Sequence, residues 1–473
     1  MAETLELHPD RALPVDPAQR SLARSILRQT EGLPLVCMHG HVEAQVFADN
    51  DAFDDPARLL IVPDHYVTRM LVSQGVPLTD LGVPREDGGP TETDPREIWR
   101  RFCSNWKLFR GTPSRFWLEH ELATVFEVTE VPSAETADAI YDRISEVVAR
   151  PDFRPLQLLD RFNIEIISTT DPASSDLAQH GRLADAGYGE RVVPTFRPDA
   201  VAYPDRPTWP DDVRRLGAAA GMEVGDYPSF LEALRRRRAA FVAAGARASD
   251  HGHEYADTTP LDDGVAQALF ARALGGERLS PAEARAFAGN MLFQFAGMAR
   301  DDGLVMQIHP GVLRNHHDGM FAKHGPDKGF DIPIAAEYTH ALRPMLEAFG
   351  MDPGFRCILF TIDETVYTRE LAPLAGVYPS VRLGAPWWFI DSPEGMRRFR
   401  ETATETAGFY NLSGFVDDTR AFASIPARHD LARRIDAGYL ARLVLEHRLG
   451  EDEAHETAVD LAYRIPQAAY ARR

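Results

Sequence analysis

Residues 33–41 read Leu-Pro-Leu-Val-Cys-Met-His-Gly-His, a short apolar run that ends in two histidines one residue apart. Its length, and the Gly and Pro at its start, mark it as a buried strand. Residues i and i+2 of a strand share a face. His39 and His41 are therefore expected to present two imidazoles side by side where the chain leaves the core. Two convergent imidazoles are half of a divalent metal site; the plainer alternative is a pair of polar loop histidines at a strand end.

Further reactive side chains stand at the ends of other apolar runs: Thr169-Thr170-Asp171, Arg197, Asp250-His251, His309 and Asp418-Thr419-Arg420. Taken singly, an Asp or Arg after a strand is an ordinary loop residue or helix cap. Their recurrence asks what would bring them together. Eight strand-like runs are present, at residues 35–41, 164–170, 192–197, 246–250, 304–309, 357–362, 381–386 and 412–418. Most are joined by helix-like stretches, of which 281–299 and 393–408 are clear examples. Strands alternating with helices imply a parallel sheet, and eight such units suggest a closed α/β barrel, (β/α)8. Active sites of such barrels lie at the C-terminal strand ends, where these residues sit. Closure would bring the first and eighth strands together. His39, His41 and Asp418 would then give three ligands and an open position, the pattern of a catalytic zinc. His309 is a further ligand or a substrate contact. A second, bridged metal is not expected, because no lysine ends the fourth run and no histidine ends the sixth.

At 473 residues the chain exceeds a typical barrel of about 250. The expected organisation is an N-terminal helical segment (1–34), the barrel (35–434) carrying a mainly helical insertion after strand one (42–150), and C-terminal helices packed on the barrel (435–473). Asp16 and Pro17 begin the first helix as cap and first-turn residue, and Gly32 follows it as a stop. A second irregular region, 198–227, follows strand three. Insertions after barrel strands fall on the catalytic face.

The net charge of −20 argues against a nucleic-acid partner. The one dense basic run, Arg235 to Arg238, reads as a solvated helix face. Three cysteines fit neither a disulfide framework nor a Cys-x-x-Cys zinc site, and Cys37 and Cys357 read as buried thiols. No signal peptide or membrane-length apolar run is seen, so a cytoplasmic protein with no membrane partner is expected. A homo-oligomer is also expected.

The same residues carry a family resemblance. A barrel with His-x-His on strand one and Asp on strand eight resembles the amidohydrolase superfamily, and further segments resemble its uronate isomerase (glucuronate isomerase) family. These are Asp64-His65-Tyr66, Thr169-Thr170-Asp171, Arg197-Pro198-Asp199, Ser249-Asp250-His251-Gly252, Met306-Gln307-Ile308-His309 and Arg314-Asn315. Residues 325–331, Trp387-Trp388-Phe389 and Asp418-Thr419-Arg420 complete the set. The matches span about 35–434 in the right order. Thr419 stands where the family usually has Ser, Asp417 adds a carboxylate beside it, and His316-His317-Asp318 replaces a more neutral stretch.

The resemblance implies aldose–ketose isomerisation of a small hexuronate: D-glucuronate to D-fructuronate, and D-galacturonate to D-tagaturonate, through an enediol. Removing a proton alpha to a carbonyl needs a general base and acid, stabilisation of the enediolate and a clamp for the substrate carboxylate. Arg197 and Arg420 suit the clamp, since guanidinium grips carboxylate in a bidentate fork. His65 and Tyr66 can reach over the substrate for proton transfer. Asp418 can be ligand, base or both, and Tyr66 and Asp418 are the two candidates for the C2 base. His309 and Asp250 could bind hydroxyls or relay protons. Trp387 and Trp388 could line the pocket or simply pack. One divalent ion, Zn2+ on this donor set, is implied, with no organic cofactor. The rival activities are a mononuclear metal-dependent hydrolase of a sugar-acid lactone or amide, and a non-catalytic sugar-acid-binding protein.

Overall fold

The computed structural model describes residues 3–472. Its centre is a parallel (β/α)8 barrel. The strands are β1 (Leu35–Cys37), β2 (Ile164–Ser168, resuming at Asp171–Pro172), β3 (Val192–Val193, resuming at Phe196–Arg197), β4 (Ala248–His251), β5 (Val305–Ile308), β6 (Cys357–Leu359) and β7 (Val381–Leu383). Each pairs in parallel with its sequence neighbour: Val36 with Ile166, Ile167 with Val192, Phe196 with Ser249, Ala248 with Val305, Met306 with Cys357, and Ile358 with Arg382.

Two expected strands are less regular than their composition suggested. The run 412–418 forms a single parallel bridge, Leu383 to Leu412, before it turns irregular at Gly414. It still closes the barrel, because Asp418 N–H donates to His39 O at 3.1 Å and His41 N–H to Thr419 O at 2.9 Å. Likewise β1 stops at Cys37, two residues before the histidines, so strand parity alone does not aim His39 and His41. The seam with the eighth run does.

Alternation sorts the strand side chains. Val36, Ile166, Val193, Ala248, Val305 and Ile358 meet in one cluster inside the barrel. Their neighbours Leu35, Ile167, Met306, Cys357 and Leu359 pack outward under helices. The inward parity of Ala248 and Val305 carries forward to Asp250 and His309, which places both at the barrel mouth.

The helix Pro17–Arg28 is capped as expected: Asp16 accepts from Gln19 N–H, and Pro17 opens the first turn. The connectors Pro281–Asp302 and Pro393–Ala407 are helices. Between β1 and β2 the chain is mainly helical, including His65–Val72, Pro95–Ser104, Pro113–His120 and Ala137–Val148. The expected boundary at residue 435 falls inside the long helix Ile425–Leu445. Tyr470 reaches into the barrel and donates to Gln307 Oε1 at 2.8 Å.

The basic run needs a correction. In helix Tyr227–Ala243, Arg235 and Arg236 are exposed, but Arg237 and Arg238 are buried. Arg238 pairs with Asp302 through two nitrogens, and Arg237 donates to the carbonyls of Ala173, Ser175 and Ala219. Two of the four arginines thus fasten the helix to the barrel, because their partners lie on elements far away in sequence. The three cysteines are buried and free. Among the described residues no helix is long and apolar enough to cross a membrane.

Candidate active site and metal centre

The strand ends open into a cavity of about 570 Å³. All of the expected site residues line it: His39, His41, His65, Tyr66, Arg197, Asp250, His309, Trp387, Asp418 and Arg420. Thr169, Thr170, Asp171 and His251 do not. His251 turns back to Ser249 Oγ at 3.0 Å and packs on Phe295.

The geometry around Asp418 is that of a ligand set. His39 Nε2 stands 3.1 Å and His41 Nε2 3.0 Å from the same Asp418 Oδ1. That oxygen is buried and accepts no hydrogen bond. The same holds on the other side of His39. Its Nδ1 is 3.8 Å from Asp250 Oδ1, which His309 Nδ1 approaches to 2.8 Å, and all three atoms lack hydrogen bonds. Close approach without donor–acceptor alignment is costly in a buried site. It is natural for atoms that share a cation: ligands about 2 Å from one ion stand roughly 3 Å from each other. The donor set of two imidazoles and a carboxylate therefore fits a divalent metal, with His39, His41 and Asp418 as one three-ligand group and His39, Asp250 and His309 as an overlapping one.

Four of the ten described non-glycine residues with positive φ line this cavity. Asp418 has φ +44°, and Asn315, Asp327 and Trp388, which also line the cavity, have φ between +49° and +60°. Non-glycine residues in this region cost energy and persist where the surrounding structure over-determines them, often at functional sites.

The carboxylates of the cluster stay charged. Burial would raise Asp250, but His309, Arg197 and His39 outweigh it and hold the group well below its ordinary range. Asp418 is likewise held low by His39 and His41 against burial. Burial pulls His65 down to about 3, with Arg420 adding to it, so its imidazole is neutral near pH 7.

The two expected clamp arginines differ. Arg197 is already engaged: Nε meets Asp199 Oδ2 at 2.8 Å and Nη1 meets Asp250 Oδ2 at 3.0 Å. Arg420 Nη2 reaches Asp327 Oδ2 at 3.0 Å across the mouth, and Arg314 comes within 3.8 Å of the same carboxylate. Four arginines line the cavity (Arg197, Arg206, Arg314, Arg420) against five carboxylates (Asp199, Asp250, Glu254, Asp327, Asp418). A divalent cation would reverse that one-charge negative excess and make the wall receptive to an anion.

His65 and Tyr66 stack at 5.1 Å between ring centres, in the first turn of helix His65–Val72, which Asp64 caps at Tyr66 N–H. His309 packs between Phe360, at 4.1 Å, and the edge of Trp387, at 4.8 Å. Trp388 also lines the cavity and stacks on Phe389. Several lining or supporting residues were not singled out from sequence. Asp199, Arg314 and Asp327 lie inside segments that carried the family resemblance, but none was given a role. Asp391 and Arg428, behind Tyr66, carry no local signal.

A model of the glucuronate isomerase family matches residues 18–470. The uronate isomerase of Rhizobium meliloti (strain 1021) is 54% identical over 464 residues, covering 98% of this chain and 99% of the relative. Among solved structures, glucuronate isomerase from Caulobacter crescentus superposes with a TM-score of 0.96 at 51% identity, covering 99% of this chain and 97% of that one. Uronate isomerase from Thermotoga maritima gives a TM-score of 0.90 at 28% identity, with 98% and 99% covered.

Proposed function

The chain belongs to the glucuronate isomerase family, and from that premise we propose how its cavity carries out the aldose–ketose isomerisation of hexuronates. D-glucuronate and D-fructuronate interconvert, as do D-galacturonate and D-tagaturonate, by proton transfer between C2 and C1 through an enediol. The observation that supports this most strongly is the convergence of His39, His41, Asp250, His309 and Asp418 with Arg420 and Tyr66 around one cavity. Hydrolysis on the same scaffold is not favoured, given full-length similarity to isomerases.

His39, His41 and Asp418 would hold one divalent ion, zinc on this donor set, and when bound it supplies a Lewis acid for the substrate oxygens. The remaining work falls to the chain's own side chains. Arg420, braced with Arg314 around Asp327, anchors the C6 carboxylate. Arg197 is bound on two sides by Asp199 and Asp250, so it adds less free charge and mainly orients Asp250. Asp250 and His309 then bind sugar hydroxyls. Tyr66 and Asp418 face the reacting carbons, and the C2 base is one of the two. Trp387 walls the site and excludes water. The setting is a cytoplasmic homo-oligomer, which light scattering checks.

The test is a coupled assay of glucuronate and galacturonate conversion, run with and without a chelator, with glucose as control. Turnover of both uronates, lost on chelation, is expected. A guanidinium left without its carboxylate costs several kcal/mol, so glucose should be poorer by roughly a thousandfold. Equal rates with glucose and glucuronate would overturn the assignment.

A further inference from the structure

Tyr66 has a partner outside the cavity lining. Its Oη–H donates to Asp391 Oδ2 at 2.9 Å, and the same oxygen accepts from Arg428 Nη1 at 3.1 Å. Tyr66 lines the cavity; Asp391 and Arg428 do not. Asp391 is 4% and Arg428 2% exposed. The guanidinium is sandwiched, 3.8 Å from the ring centre of Trp117 and 5.0 Å from that of Tyr66. Asp391 Oδ1 is buried with no partner.

The charged surroundings of this group are crowded. Arg428, Tyr66 and, from the eighth run, Asp418 act on Asp391. Arg428 in turn faces Asp64 and Asp417, and Glu121 from the insertion also feels it. One guanidinium cannot keep so many buried carboxylates ionised. Burial raises Asp64 and pushes Glu121 well above its usual range. Burial, only partly offset by Arg428 and Tyr66, brings Asp391 to about 7. Burial also drives the Tyr66 phenol far above its ordinary value, with Asp391 adding to it. A lone phenolate at this position is therefore inaccessible. Tyr66 can take a proton from substrate only if it gives its own away in the same motion.

We propose that Asp391 acts through Tyr66 as the store for the hydroxyl proton that isomerisation must move from O2 to O1. This rests on the isomerase assignment above, and with Tyr66 occupied by the hydroxyl proton it leaves the C2 proton to Asp418. In the first half, the substrate O2–H bond breaks and a new Oη–H bond forms on Tyr66, while the proton Tyr66 already held passes to Asp391 Oδ2. In the second half, that proton returns from Asp391 to Tyr66, and Tyr66 delivers the one it took to O1. No electrons are exchanged, and Tyr66 and Asp391 end as they began. Arg428 holds the carboxylate in line throughout. Asp391 is thus a positioning residue with a proton-accepting duty, since it never touches substrate.

The decisive variant is Asp391→Asn, which keeps an oxygen for the phenol to donate to but cannot take its proton. With glucuronate, kcat should fall about a hundredfold while KM stays within about threefold. The sign of the pH effect follows from the acceptor role: Asp391 must be ionised, so wild-type kcat falls as pH drops through about 7. That acid limb should vanish in Asp391→Asn and return in Asp391→Glu. A purely structural role would lower the melting temperature and leave the limb in place. A folded Asp391→Asn protein with near-normal kcat, or with the limb intact, overturns the proposal. If the variant does not fold, a proton inventory on the wild type in H2O/D2O mixtures decides. A bowed plot, with two protons in flight, is expected; a straight plot with no limb between about pH 6 and 8 overturns the relay. Wild-type protein inert toward hexuronates would instead overturn the isomerase assignment, and the relay with it.

Discussion

The ends of β2 and the eighth run carry parallel polar triplets, Thr169-Thr170-Asp171 and Asp418-Thr419-Arg420. In the first, Thr169 Oγ1 donates to Asp171 Oδ2 at 2.6 Å and lies 3.0 Å from His180 Nε2, and Thr170 donates to Gly40 O at 2.8 Å. Every hydroxyl is consumed by a neighbour in the fold. In the second, Thr419 plays that part, donating to Ala421 O and sharing a bond with Ser424. Asp418 beside it does not. Asp418 Oδ1 is crowded by two imidazoles with no aligned donor, at a strained φ, and Arg420 reaches across the cavity mouth. The contrast shows that a reactive residue type at a strand end is only an opportunity. What separates a fastening from a candidate ligand is whether the fold itself satisfies its lone pairs.

That contrast can be broken or sharpened by experiment. The largest effect should come from Asp418→Asn, which removes the shared oxygen. Turnover should drop by on the order of a thousandfold or more, with the far-ultraviolet circular dichroism unchanged, because losing a proposed metal ligand would forfeit several kcal/mol of barrier lowering. Near-wild-type activity in this variant would erase the distinction between the triplets. Dialysis against a chelator should produce a loss of similar size, restored by added Zn2+, with elemental analysis finding about one ion per chain on the three-ligand count. Two tightly held ions would mean that His39, Asp250 and His309 form a second site.

A smaller effect is expected at the mouth. Arg420→Met should lower kcat/KM for glucuronate by about ten- to a hundredfold, the value of a charge-assisted hydrogen bond or two. An equal proportional loss with glucose would show that Arg420 does not read the carboxylate. The smallest effect on activity belongs to Asp171→Asn. It should keep turnover within about threefold and instead lower stability by about 1–3 kcal/mol, read from the denaturant midpoint, as a buried network loses a partner. A collapse of turnover there, in a folded protein, would move the β2 triplet into the working group.

Much of this was legible in the chain. The alternation of apolar runs with amphipathic stretches implied the barrel, since burial on both faces of a parallel sheet leaves that pattern. His39, His41, Asp250, His309, Asp418 and Arg420 could be placed at one barrel mouth because strand ends are local properties, whereas His65, Tyr66 and Trp387 came from the family resemblance; all nine line the same cavity. Other features were not legible, each for a stated reason. Arg237 and Arg238 read as solvated because their partners, among them Asp302, sit on other elements. The pairing of Arg197 could not be read because Asp250, which binds it, belongs to the next strand.

The sequence by itself determined the order of the strands, the long insertion after the first, and the kinds of donor that reach the barrel mouth, because periodicity and strand-end position are written within a few residues. Only the tertiary structure decided which donors share a point in space and which are spent. The seam that joins His39 to Asp418 rests on two backbone hydrogen bonds between the first and eighth runs. The Tyr66–Asp391 bond joins residues 325 apart in the chain. Whether a buried polar atom has a partner is a property of packing between distant elements, and no local pattern encodes it.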